Sequence, residues 1–170
     1  MISGLDDVVV AETTLSDVDG NAGRLIIRGH LVEELADNAT YEEVLALLWN
    51  EEPKDLGTAR QKVFKHLKAA DPQLSTLDAV RALIARLPDN DDLETALLLV
   101  AAPAVFTPAI LRMQQGLEPV KPDPTLSHAA DMLQMLRGTV PSPEHAATLD
   151  RYLVTASDHG LNASTFAAGW

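Results

Sequence analysis

The sequence contains no cysteine. That excludes disulfides, thiolate nucleophiles and cysteine-based metal sites, and it fits a reducing compartment, so a cytoplasmic location is expected. Aromatic residues make up only 4% of the chain, so Leu, Ala and Val must build the interior. Basic residues are scarce too: 13 Lys and Arg stand against 25 Asp and Glu, a formal charge of −12. A surface of that sign repels nucleic-acid phosphates and anionic membranes, so neither is expected as a partner. It leaves room for a local basic pocket that takes a small anion. Long apolar runs are lacking as well. Leu97–Ile110 comes closest, but Pro103, Thr107 and Pro108 interrupt it short of the roughly 18 residues of a membrane span. The opening MISGLDD has neither the basic nor the apolar region of a signal peptide, so none is expected there.

What is present is ordinary globular chemistry. The 170 residues are 46% apolar and 22% charged, enough for one domain with a real core. Val8–Ala11 and Arg24–Arg28 are short and rich in Val, Leu and Ile. Between them lies TLSDVDGNAG, dense in turn formers, so a small hairpin or two short strands are expected. The same stretch superficially resembles a calcium loop. With Asp17 first, however, Ala22 stands where the loop needs Gly, and Arg28 where it needs the closing Glu. Turn geometry is the better reading.

Beyond Gly29 the periodicity becomes helical. Thr40 and Glu43 have the spacing of a capping box ahead of Val44, Leu45 and Leu48, with Pro53 as terminator. Asp55 can cap a helix burying Val63, Phe64 and Leu67. Ser75 and Asp78 open another, with Leu77, Val80, Ile84 and Leu87 on one face. The segment from Leu93 is apolar all round, which predicts a central helix bent or broken at Pro103 and Pro108 and ending near Gly116. EPVKPDP must be a loop. Thr125 to Leu136 reads as a helix stopped by Gly138. Ser142 and Pro143 open a last helix carrying Leu149, Tyr152 and Leu153 on one face, with Gly160 as its stop. The expected core includes Val44, Leu48, Val63, Leu83, Leu97, Val100, Leu133 and Leu153. The fold class is all-α with a small β element at the N-terminus.

Among five histidines, His30, His66 and His145 have settings that suggest exposed surface. His128 opens a helix and His159 closes one, and helix ends collect polar ligands because their backbone groups lack partners. Their spacing of 31 positions suits two antiparallel neighbours whose facing ends meet. No metal is expected, because no third ligand has a recognisable spacing. No dinucleotide, P-loop, nucleophile-elbow or His-Glu-x-x-His motif occurs.

Taken together, several segments resemble one family. LDRYLVTASDHGLNASTFAA is similar to the active-site segment of citrate synthases, with a histidine in an Asp-His context before Asn-x-Ser-Thr. PTLSHAADMLQMLRG resembles the segment preceding it. GLDDVVVAETTLSDVDGNAGRLIIRGH and ILRMQQGLEPVKP resemble further stretches in the same order, while residues 54–95 carry no motif of their own. The resemblance implies a multi-helical large domain, represented here by its N-terminal part over residues 1–170, with the small domain absent. It implies condensation of acetyl-CoA with oxaloacetate, with acetyl-CoA as substrate and no separate cofactor. Position by position, it implies that His159 stabilises the enol of acetyl-CoA, that His128 binds oxaloacetate or citrate, and that Asn162 supports them. A second catalytic histidine, the aspartate that takes the proton and the carboxylate-binding arginines have no match in this sequence. Inactivity in isolation is therefore expected, with a homodimer or a complementing C-terminal chain as partner. A non-catalytic dimerisation or regulatory module, or part of a 2-methylcitrate synthase, remain alternatives.

Overall fold

The computed structural model describes residues 12–160. The chain begins with a three-stranded antiparallel sheet in the order β1 (Ser16–Asp19), β2 (Arg24–Ile27), β3 (His30–Leu31). The expected strand Val8–Ala11 lies outside the described residues. Instead, β1 falls inside the stretch read as turn. Only Gly20–Gly23 is needed to reverse the chain, because the Asp19 carboxylate accepts from the backbone N–H groups of Asn21 and Ala22. Ser16 thereby pairs with Ile27 and Asp19 with Arg24. The second reversal is tighter. Arg28 and Gly29 both have positive φ, 48° and 87°, as a two-residue hairpin turn requires. The Arg28 guanidinium then donates to Leu48 O at 3.0 Å, at the end of the second helix.

Seven α-helices follow among the described residues: α1 (Val32–Asn38), α2 (Tyr41–Trp49), α3 (Leu56–Phe64), α4 (Thr76–Ile84), α5 (Leu93–Gln114), α6 (His128–Arg137) and α7 (Pro143–Thr155). A 3-10 turn, Lys65–Ala69, continues α3. The capping box of α2 is formed in full: the Thr40 hydroxyl accepts from Glu43 N, and Glu43 Oε2 accepts from Thr40 N at 2.7 Å. Ser75, Asp92, Ser127 and Ser142 cap α4, α5, α6 and α7 in the same local way. Two ends differ from expectation. Helix α6 starts at His128, because Thr125 is held in a turn by the Asp123 carboxylate. Helix α7 ends at Thr155, so Gly160 lies five residues past it.

Helix α5 is the axis of the fold. It runs for 22 residues through Pro103 and Pro108, so of the bend or break expected there the break does not occur. Each proline removes one bond from the helical ladder, a cost of about 3 kcal/mol in an isolated helix. Burial offsets it: Leu97, Ala101, Val105, Phe106 and Ile110 are packed against α3, α4 and α6. By length and composition alone α5 could cross a membrane, with a mean hydropathy of 1.9 over an 18-residue window, yet here it is the core helix. A smaller cluster of Ile27, Leu35, Val44 and Val154 ties the sheet to α1, α2 and α7. Val44, Val63, Leu83 and Leu97 are buried as expected, whereas Leu48, Val100, Leu133 and Leu153 are half-buried. Leu77 and Tyr152, read onto buried faces, are 60% and 65% exposed.

Candidate functional site

The densest buried polar cluster lies where α2, α3, α6 and the 117–127 loop meet. Arg60 sits on the apolar face of α3 beside Leu56, Ala59 and Val63, so its side chain must enter the interior. It is only 1% exposed, and its Nε donates to Asp131 Oδ2 at 2.6 Å. One terminal nitrogen, Nη2, donates to both Leu126 O at 2.8 Å and Asp123 O at 3.4 Å. The other oxygen of Asp131 accepts from Asp123 N at 2.9 Å. One arginine and one aspartate therefore pin the loop to the start of α6. Burial pushes the Asp131 carboxyl up, while the Asp123 N–H and Arg60 favour its ionised form.

His128 is the first residue of α6 and is 3% exposed. Its backbone N–H donates to Glu42 Oε1 at 2.7 Å, so a carboxylate from α2 meets the positive end of α6. The ring lies on Tyr41, centroids 5.3 Å apart, and its Nδ1 is 3.4 Å from an Arg60 nitrogen. A guanidinium only donates, so Nδ1 is the acceptor and Nε2 carries the proton. Burial, reinforced by the charge of Arg60, lowers its pKa to about 3, and the imidazole is neutral. Tyr41 is held by α7 in turn: its backbone N–H donates to the Asp150 carboxylate at 3.3 Å. Burial pushes Asp150 up.

His159 lies in irregular chain beyond α7, not at the helix end itself, and is exposed. The Asp158 carboxylate accepts from Gly160 N at 2.8 Å, a turn that fixes the backbone on either side of the histidine. Gly160 has φ of +82° and lies against the Val18 side chain of β1. Helices α6 and α7 pack together and are joined by residues 138–142 alone, so both histidines lie toward one end of that pair. They are not brought into contact: no hydrogen bond or ring contact joins them among the described residues. Asp150 on α7 reaches the backbone of Tyr41, whose ring packs on His128, and about 7 Å of further helix follows before the irregular chain that carries His159. Asn162 lies outside the described residues.

The remaining histidines are His30 and His145, both exposed, and the half-buried His66. His145 Nδ1 meets Ser142 Oγ at 3.2 Å and Arg137 at 3.3 Å, a local cap of α7. Among the described residues no three His, Asp or Glu side chains converge as a metal site. Sequence reasoning missed Arg60, Asp131 and Glu42. Arg60 had a readable signal, because it occupies the apolar face of α3; Asp131, three residues after His128 on the same helix, had another.

The architecture is thus an all-helical domain wound around one long apolar helix, with a small sheet at its start and a histidine-bearing turn against that sheet. Residues 4–169 match the family model described as citrate synthase, C-terminal domain. The citrate synthase of Haloferax volcanii is 37% identical, over 97% of this chain and 51% of its own length. A 2-methylcitrate synthase of Mycobacterium tuberculosis is 31% identical, over 97% of this chain and 47% of its own. The crystal structure of citrate synthase from Thermotoga maritima superposes with a TM-score of 0.83 at 26% identity, covering 99% of this chain and 50% of that one. This chain belongs to the citrate synthase family. It spans about half the length of the curated relatives it matches.

Proposed function

We propose that this chain forms part of an acyltransferase that condenses acetyl-CoA with oxaloacetate to give citrate. The observation that carries the reading is the match to the family over residues 4–169. Both reactants are substrates, so the reaction needs no resident cofactor. His159 is the group we assign to the substrate. It is exposed, and the Asp158–Gly160 turn holds the backbone on both sides of it. An imidazole there can donate to an oxygen that gains charge as a methyl proton leaves the thioester. Asn162, three residues on, is assigned to the same substrate. His128 acts indirectly, because its neutral ring is packed under Tyr41 and Arg60. In this reading it positions the loop and the start of α6 rather than touching oxaloacetate.

The second histidine, the aspartate and the arginines of the family pattern have no match here. We assign turnover to an assembly in which these residues act together with those groups, which a second copy of residues 1–170 would not supply. Exposed Leu136, Val140 and Tyr152 at the α6–α7 pair support such an assembly. The test is release of free coenzyme A from acetyl-CoA and oxaloacetate, by the chain alone and mixed with candidate partners. Activity in a mixture that vanishes with His159→Ala would support the reading. A folded chain inactive in every mixture would favour a non-catalytic binding module. The similarity to a 2-methylcitrate synthase supports a second acyl donor, so propionyl-CoA belongs in the same assay.

A further inference from the structure

The chain has five lysines, and four of them crowd one groove. Lys62, Lys65, Lys68 and Lys121 line two adjoining cavities of about 420 and 500 Å³ that share Phe64, Lys65 and Lys121; only Lys54 lies elsewhere. The groove runs between the end of α3, the 3-10 turn Lys65–Ala69 and the 117–122 loop. Its spacing is built into the backbone. A 3-10 turn has three residues per turn, so Lys65 and Lys68 stack on one face, in line with Lys62 before them. Like charges so placed repel one another. Lys62 is relieved by Glu94, at 2.5 Å. Lys65, Lys68 and Lys121 are exposed, and none makes an ion pair among the described residues.

The groove is more than a charged patch. Its walls include Phe64, Leu67, Met113 and Pro122, so a bare ion would leave apolar surface uncovered. Thr58 and Gln61 add neutral hydrogen-bonding groups at one end. The loop side is fixed, because Arg112 Nε donates to Glu118 O at 2.8 Å and Pro122 is buried. Glu118 is the one acidic residue among the lining residues of these two cavities. Both volumes fall in the range of small-molecule sites, roughly 300–1,000 Å³. On a chain of net charge −12 this is a local reversal of sign. Together these features specify an anion of more than one charge attached to a flat or apolar body.

We propose that this groove binds a small phosphate ester of the mononucleotide class, at a site separate from His159. The phosphates meet Lys65, Lys68 and Lys121, and the body lies on Phe64 and its apolar neighbours. The assignment goes beyond the condensation reading and does not depend on it.

Calorimetric titration of the whole chain at low salt tests the proposal, with ADP, inorganic pyrophosphate and adenosine as probes. ADP should bind, with affinity that falls as sodium chloride rises. Pyrophosphate should bind at least about 10-fold more weakly, and adenosine not measurably. The double substitution Lys65→Gln with Lys121→Gln should weaken ADP by about 10-fold or more, while Lys54→Gln leaves it unchanged. Both variants should keep the parent's denaturation midpoint, since these side chains are exposed. Because coenzyme A itself contains an ADP moiety, His159→Ala is the control for the site under Proposed function, and it should leave ADP binding intact. No ADP binding at millimolar concentration would overturn the proposal, as would equal binding by the double variant or loss on His159→Ala. Pyrophosphate binding as tightly as ADP would reduce the site to a bare anion patch. Preference for a poly-glutamate peptide over ADP would make it a polypeptide surface instead.

Discussion

Arg60 Nε and Asp131 Oδ2 lie 2.6 Å apart, 71 positions from each other in sequence, with both side chains almost wholly removed from solvent. Neither charge could remain there alone. Replacing Arg60 by Met should destabilise the fold by about 3–5 kcal/mol, because Asp131 is left as an uncompensated buried charge. Asp131→Leu should do the same through Arg60. The double variant Arg60→Met with Asp131→Leu should recover a large part of either loss. Urea denaturation of the three variants checks this; additive losses would show that the pair is not coupled.

Gly57 lies where α3 meets the 117–127 loop. A Cβ there would sit 2.6 Å from Pro124 O and 3.0 Å from Pro124 Cα, both backbone atoms. Gly57→Ala should therefore cost about 1–3 kcal/mol, although alanine is the better helix former. Gly20 is the control. A Cβ on it meets nothing within 4 Å, so Gly20→Ala should leave stability nearly unchanged. Equal denaturation midpoints for the two variants would refute the close approach.

Acid should weaken the fold through His128. Its pKa is lowered to about 3 in the native state, against an ordinary value of 6.5, so the unfolded chain takes up the proton first. The contribution is fully present above the unfolded value. It is lost progressively as pH falls from about 6.5 toward 3, and the total is on the order of a few kcal/mol. His128→Gln should flatten the stability profile across that window while lowering stability at neutral pH. A profile with unchanged slope between pH 6 and 4 would show that the ring is not held neutral.

Salt should act in the opposite sense to its effect on ADP. A net charge of −12 repels itself in the compact state, and the screening length falls from about 10 Å at 0.1 M to about 3 Å at 1 M. The thermal midpoint should rise with sodium chloride over that interval. A falling midpoint would mean that attractive pairs such as Lys62–Glu94 and Arg151–Asp37 outweigh the general repulsion.

Much of the helical frame was legible because its signals are local. The Thr40–Glu43 box and the serine caps of α4 and α7 need only three or four residues to work, and the structure forms each of them. The apolar faces of α2 and α3 could be read from spacing for the same reason, whereas on α4 Leu77 proved exposed. Local signals also misled. Asp, Gly and Asn around residues 17–23 hid β1, since strand pairing depends on the partner at Arg24–Ile27. Pro103 and Pro108 argued for a bend or a break, and packing around α5 keeps the helix continuous. Thr125 looked like a helix start until Asp123 took its hydroxyl and amide.

By itself, then, the sequence determined where α2 to α5 and α7 begin, much of their apolar stripes and the −12 charge of the chain. The order of its segments also determined the family. Tertiary structure alone decided the fate of particular polar groups. Arg60 stands in a stretch without a motif, and only the arrival of Asp131 and Leu126 makes its burial affordable. His128 became a neutral packed ring through Tyr41 and Arg60, and Lys121 joined Lys65 and Lys68 only because the loop after α5 folds back beside α3. Solvation, charge state and convergence depend on neighbours distant in sequence, and no local pattern encodes those.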